Sequence, residues 1–119
     1  MSLDLYDRHG AAVAYSDDGT HFFSYAGEPI AYLAGESVYS FTGAHLGTFR
    51  GGWLRDHDGA AVLFAEGATG GPVKPIRQIK PIRSIRSLMP IKGIREIPPI
   101  GAIPSYGWSS RSIRAFFSH

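Results

Sequence analysis

Asp56, His57 and Asp58 stand in a row, two carboxylates flanking an imidazole. Oxygen and nitrogen donors of that kind suit a divalent cation. A metal site is read from ligand spacing on a defined helix or loop, and this triplet has none. The other histidines, His9, His21, His45 and His119, add no ligand interval, and His9 and His57 fall in segments that read as turns. Ser24 and Ser40 are turn residues first. No Ser-His-Asp order, phosphate loop, dinucleotide fingerprint or HExxH is present. The chain therefore reads as non-enzymatic, with no metal or other cofactor.

Two further residue sets carry chemistry. Lys74, Arg77, Lys80, Arg83, Arg86, Lys92 and Arg95 fall in one column of a triplet pattern, with Met89 the interruption. Cations about 9 Å apart along one edge could track phosphates, so anionic-polymer binding, nucleic acid above all, is one reading. The aromatics Tyr6, Phe22, Phe23, Tyr25, Tyr39, Phe41 and Trp53 cluster near repeated turns. Aromatic faces stack on sugars and cations, although core packing is the use expected of most.

The segment that must position the cations runs from Val73 to Tyr106. Every third residue is apolar: Val73, Ile76, Ile79, Ile82, Ile85, Leu88, Ile91, Ile94, Ile97, Ile100, Ile103, Tyr106. Neither a helix nor a strand has a period of three. Polyproline II does, and the prolines of the third column (Pro75, Pro81, Pro90, Pro99) favour it. The columns then form three edges: aliphatic, cationic, and rich in Pro or small polar residues. An aliphatic edge calls for cover, by the chain's own head or by sister copies. A disordered linker would be poor in Ile. Collagen needs Gly at every third position, and a hexapeptide solenoid would put Pro where strands must donate hydrogen bonds.

Composition sets bounds. At 119 residues the chain is one domain, or one small domain with an appendage. It has no cysteine, hence no disulfide framework. No apolar run is long enough to span a bilayer, and no secretory leader is evident, so a cytoplasmic location is expected. The net charge of +2 conceals a split. Residues 1–71 carry three basic and nine acidic residues, a balance of −6, and residues 72–119 carry nine basic residues and Glu96 alone, a balance of +8. A basic tail whose own chain supplies an acidic partner points to self-association.

Four tetrapeptides punctuate the first part: Asp7-Arg8-His9-Gly10, Ser24-Tyr25-Ala26-Gly27, Ser40-Phe41-Thr42-Gly43 and Asp56-His57-Asp58-Gly59. Asp or Ser first and Gly fourth is a type I turn pattern, with Gly10, Gly27, Gly43 and Gly59 suited to the left-handed position of a bulged hairpin. Large residues follow three and five positions after each Gly, with small residues such as Ala12, Ala14, Ala31, Gly47 and Ala61 between them. Further turns at Asp17-Asp18-Gly19, Gly35, Gly51-Gly52 and Gly67 link one hairpin to the next. The result is eight short strands in four hairpins. Since a lone hairpin is marginal in water they must pack together, about a pseudo-fourfold axis as in a small propeller or flower, or as one meandering sheet or barrel.

The phrases Leu5-Tyr6-Asp7, Ile30-Ala31-Tyr32-Leu33, Ser37-Val38-Tyr39-Ser40-Phe41, Trp53-Leu54-Arg55-Asp56-His57 and Gly70-Gly71-Pro72-Val73-Lys74-Pro75 resemble the bacterial four-fold beta-flower family. The resemblance spans nearly the whole chain, implies a four-petalled β head, and carries over no catalytic residue. The tail departs from strict basic triplets after Ser87. The expected architecture is mainly β: a four-hairpin head over residues 1–71, an extended tail over 72–108, and a C-terminal latch over 109–119. In the latch, Ser109 or Ser110 caps a helix from Arg111 to Phe117. The expected partner is the chain itself, as a trimer or tetramer, through the edge formed by Val73, Ile76, Ile79, Ile82, Ile85, Leu88, Ile91, Ile94, Ile97, Ile100 and Ile103.

Overall fold

A computed structural model describes residues 2–118, so His119 lies outside the described residues. Eight strands precede one short helix: β1 (Leu3–Tyr6), β2 (Ala12–Ser16), β3 (His21–Ser24), β4 (Pro29–Ala34), β5 (Ser37–Tyr39), β6 (His45–Arg50), β7 (Trp53–Arg55), β8 (Ala61–Ala65) and α1 (Ile113–Phe117). Each strand pairs antiparallel with its neighbour in sequence, and β1 pairs with β8, closing a barrel. The hairpins are not separate blades. Ladders also join one hairpin to the next, as at Ala14↔Ser24, Tyr32↔Tyr39 and Thr48↔Arg55. A free hairpin leaves two unpaired edges, whereas closure leaves none.

Each tip follows from its tetrapeptide. The fourth-position amide donates back to the first carbonyl, as in Gly10 N–H to Asp7 O at 3.0 Å and Gly43 N–H to Ser40 O at 3.0 Å. The first side chain holds the turn from inside. Asp7 Oδ1 accepts from the amides of His9 and Ala11 at 2.9 and 3.0 Å, and Asp56 Oδ1 accepts from Asp58 and Ala60 at the same distances. Ser24 and Ser40 accept from Glu28 and Ala44, both at 3.2 Å. The register shifts at the last steps of β1, β3, β5 and β7, the bulge expected where a left-handed Gly closes the turn.

The main buried cluster takes Leu5, Ala14, Phe22, Ala31, Val38, Leu46, Leu54, Val62 and Leu63. Small residues alternate inward on several strands, because an eight-stranded barrel has room only for filling side chains. Their large neighbours, such as Tyr15 and Tyr32, face out and form separate aromatic clusters. Phe116 of α1 joins the interior cluster and closes it. The helix starts later than expected: Ser112, not Ser109 or Ser110, is the N-cap, its Oγ accepting from Ala115 N–H at 3.1 Å. Ser109 is committed elsewhere. Its hydroxyl donates to Asp56 Oδ2 at 2.5 Å, and its amide donates to Ala61 O at 2.7 Å beside the Trp108–Ala61 bridge.

Candidate functional site

Residues 73–104 contain neither helix nor strand, yet at intervals their backbone amides hydrogen-bond to the head. The tail passes the four hairpin tips in chain order. Gln78, Ser87, Glu96 and Ser105 donate their amides to Gly10, Gly27, Gly43 and Gly59 at 2.8, 2.9, 2.8 and 3.1 Å. Ser84 and Gly93 donate to the second tip residues, Tyr25 and Phe41, at 2.9 and 2.8 Å. Donors to equivalent tips are nine residues apart, so three triplets of tail match one hairpin. Between the donor amides stand Pro81, Pro90 and Pro99, also nine apart. Apart from Ala102, the third-column positions at which no tip carbonyl takes a hydrogen bond are proline, which has no N–H to leave unpaired.

The tips are shaped for this contact. A Cβ on Gly10, Gly27, Gly43 or Gly59 would lie 2.0, 2.1, 2.0 or 2.4 Å from the carbonyl oxygens of Ile76, Ile85, Ile94 and Ile103. All four glycines also have positive φ, between 82° and 99°. Only glycine serves both the turn and the close approach of the tail.

The tail turns its cationic edge to the head. Arg77 lies over Tyr6 at 5.7 Å, Arg83 over Tyr15 at 3.7 Å, Arg86 over Phe23 at 4.7 Å, Lys92 over Tyr32 at 4.6 Å and Arg95 over Tyr39 at 5.8 Å. Carboxylates of the head add ion pairs: Arg77–Glu66 at 3.0 Å, Lys80–Asp4 at 3.1 Å, Arg83–Asp17 at 2.9 Å, and Arg86–Asp17. The hydrogen bond from Arg83 holds the Asp17 carboxyl below the usual range, with Arg86 assisting. Burial pushes the Asp4 carboxyl up, but the Tyr25 hydroxyl (2.6 Å), Lys80 and Arg83 together bring it below its ordinary value. Lys74 is exposed. Four of the tail's cations thus find carboxylates within their own chain.

The aliphatic edge points away from the head. Val73, the eight isoleucines and Leu88 of the period-three column, through Ile100, together with Ile103, are 88–100% exposed. The seven tip aromatics are all buried: Tyr6, Phe22, Phe23, Tyr25, Tyr39, Phe41 and Trp53. Their rings serve the core and the seat of the tail.

The family model of the 4-fold beta flower proteins matches residues 3–117, head and tail together. The chain belongs to the 4-fold beta flower family. Neither the curated proteins nor the solved structures provide a match.

One groove of this beta-flower protein departs from the others. Between the first and second hairpins the wall is Tyr15, Phe23 and Tyr25, and between the second and third it is Tyr32, Tyr39 and Phe41. The corresponding wall between the third and fourth hairpins is Thr48, Arg55 and His57, and the tail above it carries Pro98, Gly101 and Pro104 in the column that elsewhere supplies cations. A cavity of about 270 Å³ results, lined on the head side by His45, Thr48, Arg55 and His57 and on the tail side by Pro99 to Ala102. Arg55 spans the ends of the tail: Nη1 donates to Gly59 O and Ser105 O, both at 2.7 Å, and Nη2 to Gly70 O at 3.1 Å. His45 Nδ1 and His57 Nε2 are 2.9 Å apart. Burial, then the neighbouring His57, pushes the His45 imidazole below its usual range.

Sequence reasoning placed the glycine tips and the cationic column but missed this groove. Asp56-His57-Asp58 divides its duties: Asp56 braces the tip and accepts from Ser109, and among the described residues no group of three or more metal-ligating side chains assembles. The legible signal for the groove was the loss of basic residues from the tail column after Arg95 together with Arg55 in a column of aromatics, Tyr6, Phe23 and Tyr39.

Proposed function

We propose that this protein is a non-enzymatic assembly module. In this reading its tail is a polyproline II belt wound about a four-petalled head with a pseudo-fourfold axis, and the belt's outer row of aliphatic side chains joins one copy to the next. The observation that carries this reading is the exposure of the whole aliphatic column, 88–100%, in a chain whose other large apolar residues are mostly buried. Soluble monomers rarely leave contiguous apolar patches above a few hundred Å² uncovered.

The dimensions agree with a belt. Thirty-four residues of polyproline II run to roughly 105 Å. A disc 36 by 35 Å across has a perimeter of roughly 110 Å. Side chains three residues apart stand about 9 Å apart, leaving gaps that a second row of equal pitch can enter. Another copy of the chain has that pitch by construction, which favours self-association. One neighbour meets only an arc of a rim, so each copy needs at least two. A closed trimer or tetramer is the simplest assembly that supplies them.

The test is light scattering across a concentration series, on wild type and on the triple variant Ile82→Ser, Ile91→Ser, Ile100→Ser. Stable oligomers in wild type and monomers in a variant with unchanged circular dichroism are expected. A wild type that stays monomeric throughout, or that leaves solution only for lipid vesicles, defeats the proposal.

A further inference from the structure

Arg55 is 6% exposed, and among the described residues its guanidinium makes no ion pair. Its hydrogen bonds go to three neutral carbonyls. Of the nearby carboxylates, Asp56 favours the charged guanidinium at a distance but gives its oxygens to Asp58, Ala60 and Ser109, and Glu36, on the cavity rim, pairs with Arg50 at 2.8 Å. A buried charge is ordinarily matched by an opposite one. Arg55 lines the 270 Å³ cavity, and so does His45, itself 6% exposed, whose Nε2 is buried without a partner. When His57 Nε2–H donates to His45 Nδ1, the proton of His45 sits on that unpartnered Nε2, making it a donor.

The backbone differs here as well. Ser84 and Gly93 close the equivalent positions of the preceding grooves by donating to Tyr25 and Phe41, but Ala102 N–H makes no such bond to His57 O. At Gly101 nothing lies within 4 Å of where a Cβ would stand, whereas the Ala102 side chain stays beside the fourth tip, 3.5 Å from where a Cβ on Gly59 would be. Arg55, Thr48 and His57 on the head and Gly101 and Ala102 on the tail thus line a space of roughly nine water volumes at about 30 Å³ each. Where a repeat breaks its own pattern in wall, tail and backbone together, function is the expected reason.

We propose that the groove between the third and fourth hairpins, roofed by residues 98–104, binds a small molecule through an anionic group, a carboxylate or a phosphate. Arg55 supplies the countercharge, and the Thr48 hydroxyl and the Ala102 amide supply neutral donors. The proposal is independent of assembly through the outer aliphatic row.

The experiment uses the full chain and inorganic phosphate or acetate as separate probes, with chloride at matched ionic strength as reference. Amide shifts are followed by heteronuclear NMR. Saturable shifts centred on Thr48, His57 and Ala102 are expected; a response to phosphate alone assigns a phosphoryl group, and to acetate alone a carboxylate. The variant Gly101→Leu puts a bulky side chain on the tail wall of the groove while leaving Arg55 itself unchanged. A Cβ at Gly101 meets nothing within 4 Å, and its φ is not in the left-handed region. Affinity should fall at least about tenfold in this variant. No saturable response to either anion in wild type, equal binding in Gly101→Leu, or shifts spread instead over the tail cations Lys80 and Lys92 would overturn the assignment.

Discussion

Arg55 donates to the carbonyl of Ser105 at 2.7 Å, across fifty residues of chain. The same guanidinium reaches Gly70 at 3.1 Å, so the start and the end of the tail meet at one side chain of β7. Three carbonyls would lose a charged donor in Arg55→Met. Hydrogen bonds to charged groups are worth about 1.5–3 kcal/mol each and overlap when shared, so a loss on the order of 3–5 kcal/mol is expected in denaturant unfolding. Trypsin should then cut at Arg83 and Arg86 well before it cuts the barrel. Equal resistance of variant and wild type would remove the clasp role.

Gly43 and Gly35 both have positive φ, yet only Gly43 faces the tail. A Cβ at Gly43 lies 2.0 Å from Ile94 O, whereas at Gly35 it meets nothing within 4 Å. Gly35→Ala should therefore show only the left-handed penalty of about 1–2 kcal/mol. Gly43→Ala should add displacement of the tail. The specific readout is hydrogen exchange at the Glu96 amide, which donates to Gly43 O. Its protection should collapse in Gly43→Ala and persist in Gly35→Ala; indistinguishable behaviour would contradict the fit of tail to tip.

The nine-residue rhythm makes a comparison of prolines informative. Ser87 N–H donates to Gly27 O at 2.9 Å, and Pro90, one triplet on, has no amide hydrogen to place. Ser87→Pro should lose roughly 1 kcal/mol or more, through the missing bond and the orphaned carbonyl. Pro90→Ala should lose only about 0.4–1 kcal/mol, chiefly by freeing the unfolded chain. Urea titration separates the two if the tail unfolds with the barrel. A neutral Ser87→Pro would show that the tip bonds do not hold the tail.

The period of three was plain from Val73 onward, and so were the tips that end in Gly10, Gly27, Gly43 and Gly59, because turn chemistry and residue period are local. Which edge of the tail meets the head was not. Aliphatic residues ordinarily seek cover, so the column from Val73 to Ile103 was the natural candidate for the inner face. The barrel instead offers tip carbonyls, the rings of Tyr6, Tyr15, Phe23, Tyr32 and Tyr39, and the carboxylates of Asp4 and Asp17. Those groups select amides and cations. Pro81, Pro90 and Pro99 recorded the match of nine residues to one hairpin, but its meaning depends on the spacing of tips in space. The helix start at Ser112 was hidden for a similar reason: Ser109 is claimed by Asp56, 53 residues away.

Acid should loosen one arc of the tail before the others. Asp17 holds Arg83 and Arg86, and Asp4 holds Lys80, so the stretch from Lys80 to Arg86 is fixed by carboxylates. The next arc rests Lys92 and Arg95 on Tyr32 and Tyr39, and these two cations have no carboxylate partner among the described residues. Both Asp4 and Asp17 have carboxyls held below their ordinary values in the folded chain. Their contribution is therefore complete above the unfolded value of about 3.9 and is lost as pH falls through the lower folded values. Asp17 is open to solvent, which keeps its share within about 0.2–1 kcal/mol. Amide protection at Ser84 and Ser87 should decline below pH of about 4 while protection at Gly93 holds. Asp17→Asn should lower protection at Ser84 and Ser87 already at neutral pH and flatten its dependence on acid. Protection at Ser84 and Gly93 that falls in parallel, or an Asp17→Asn variant identical to wild type, would mean that the rings and tip carbonyls alone seat the tail.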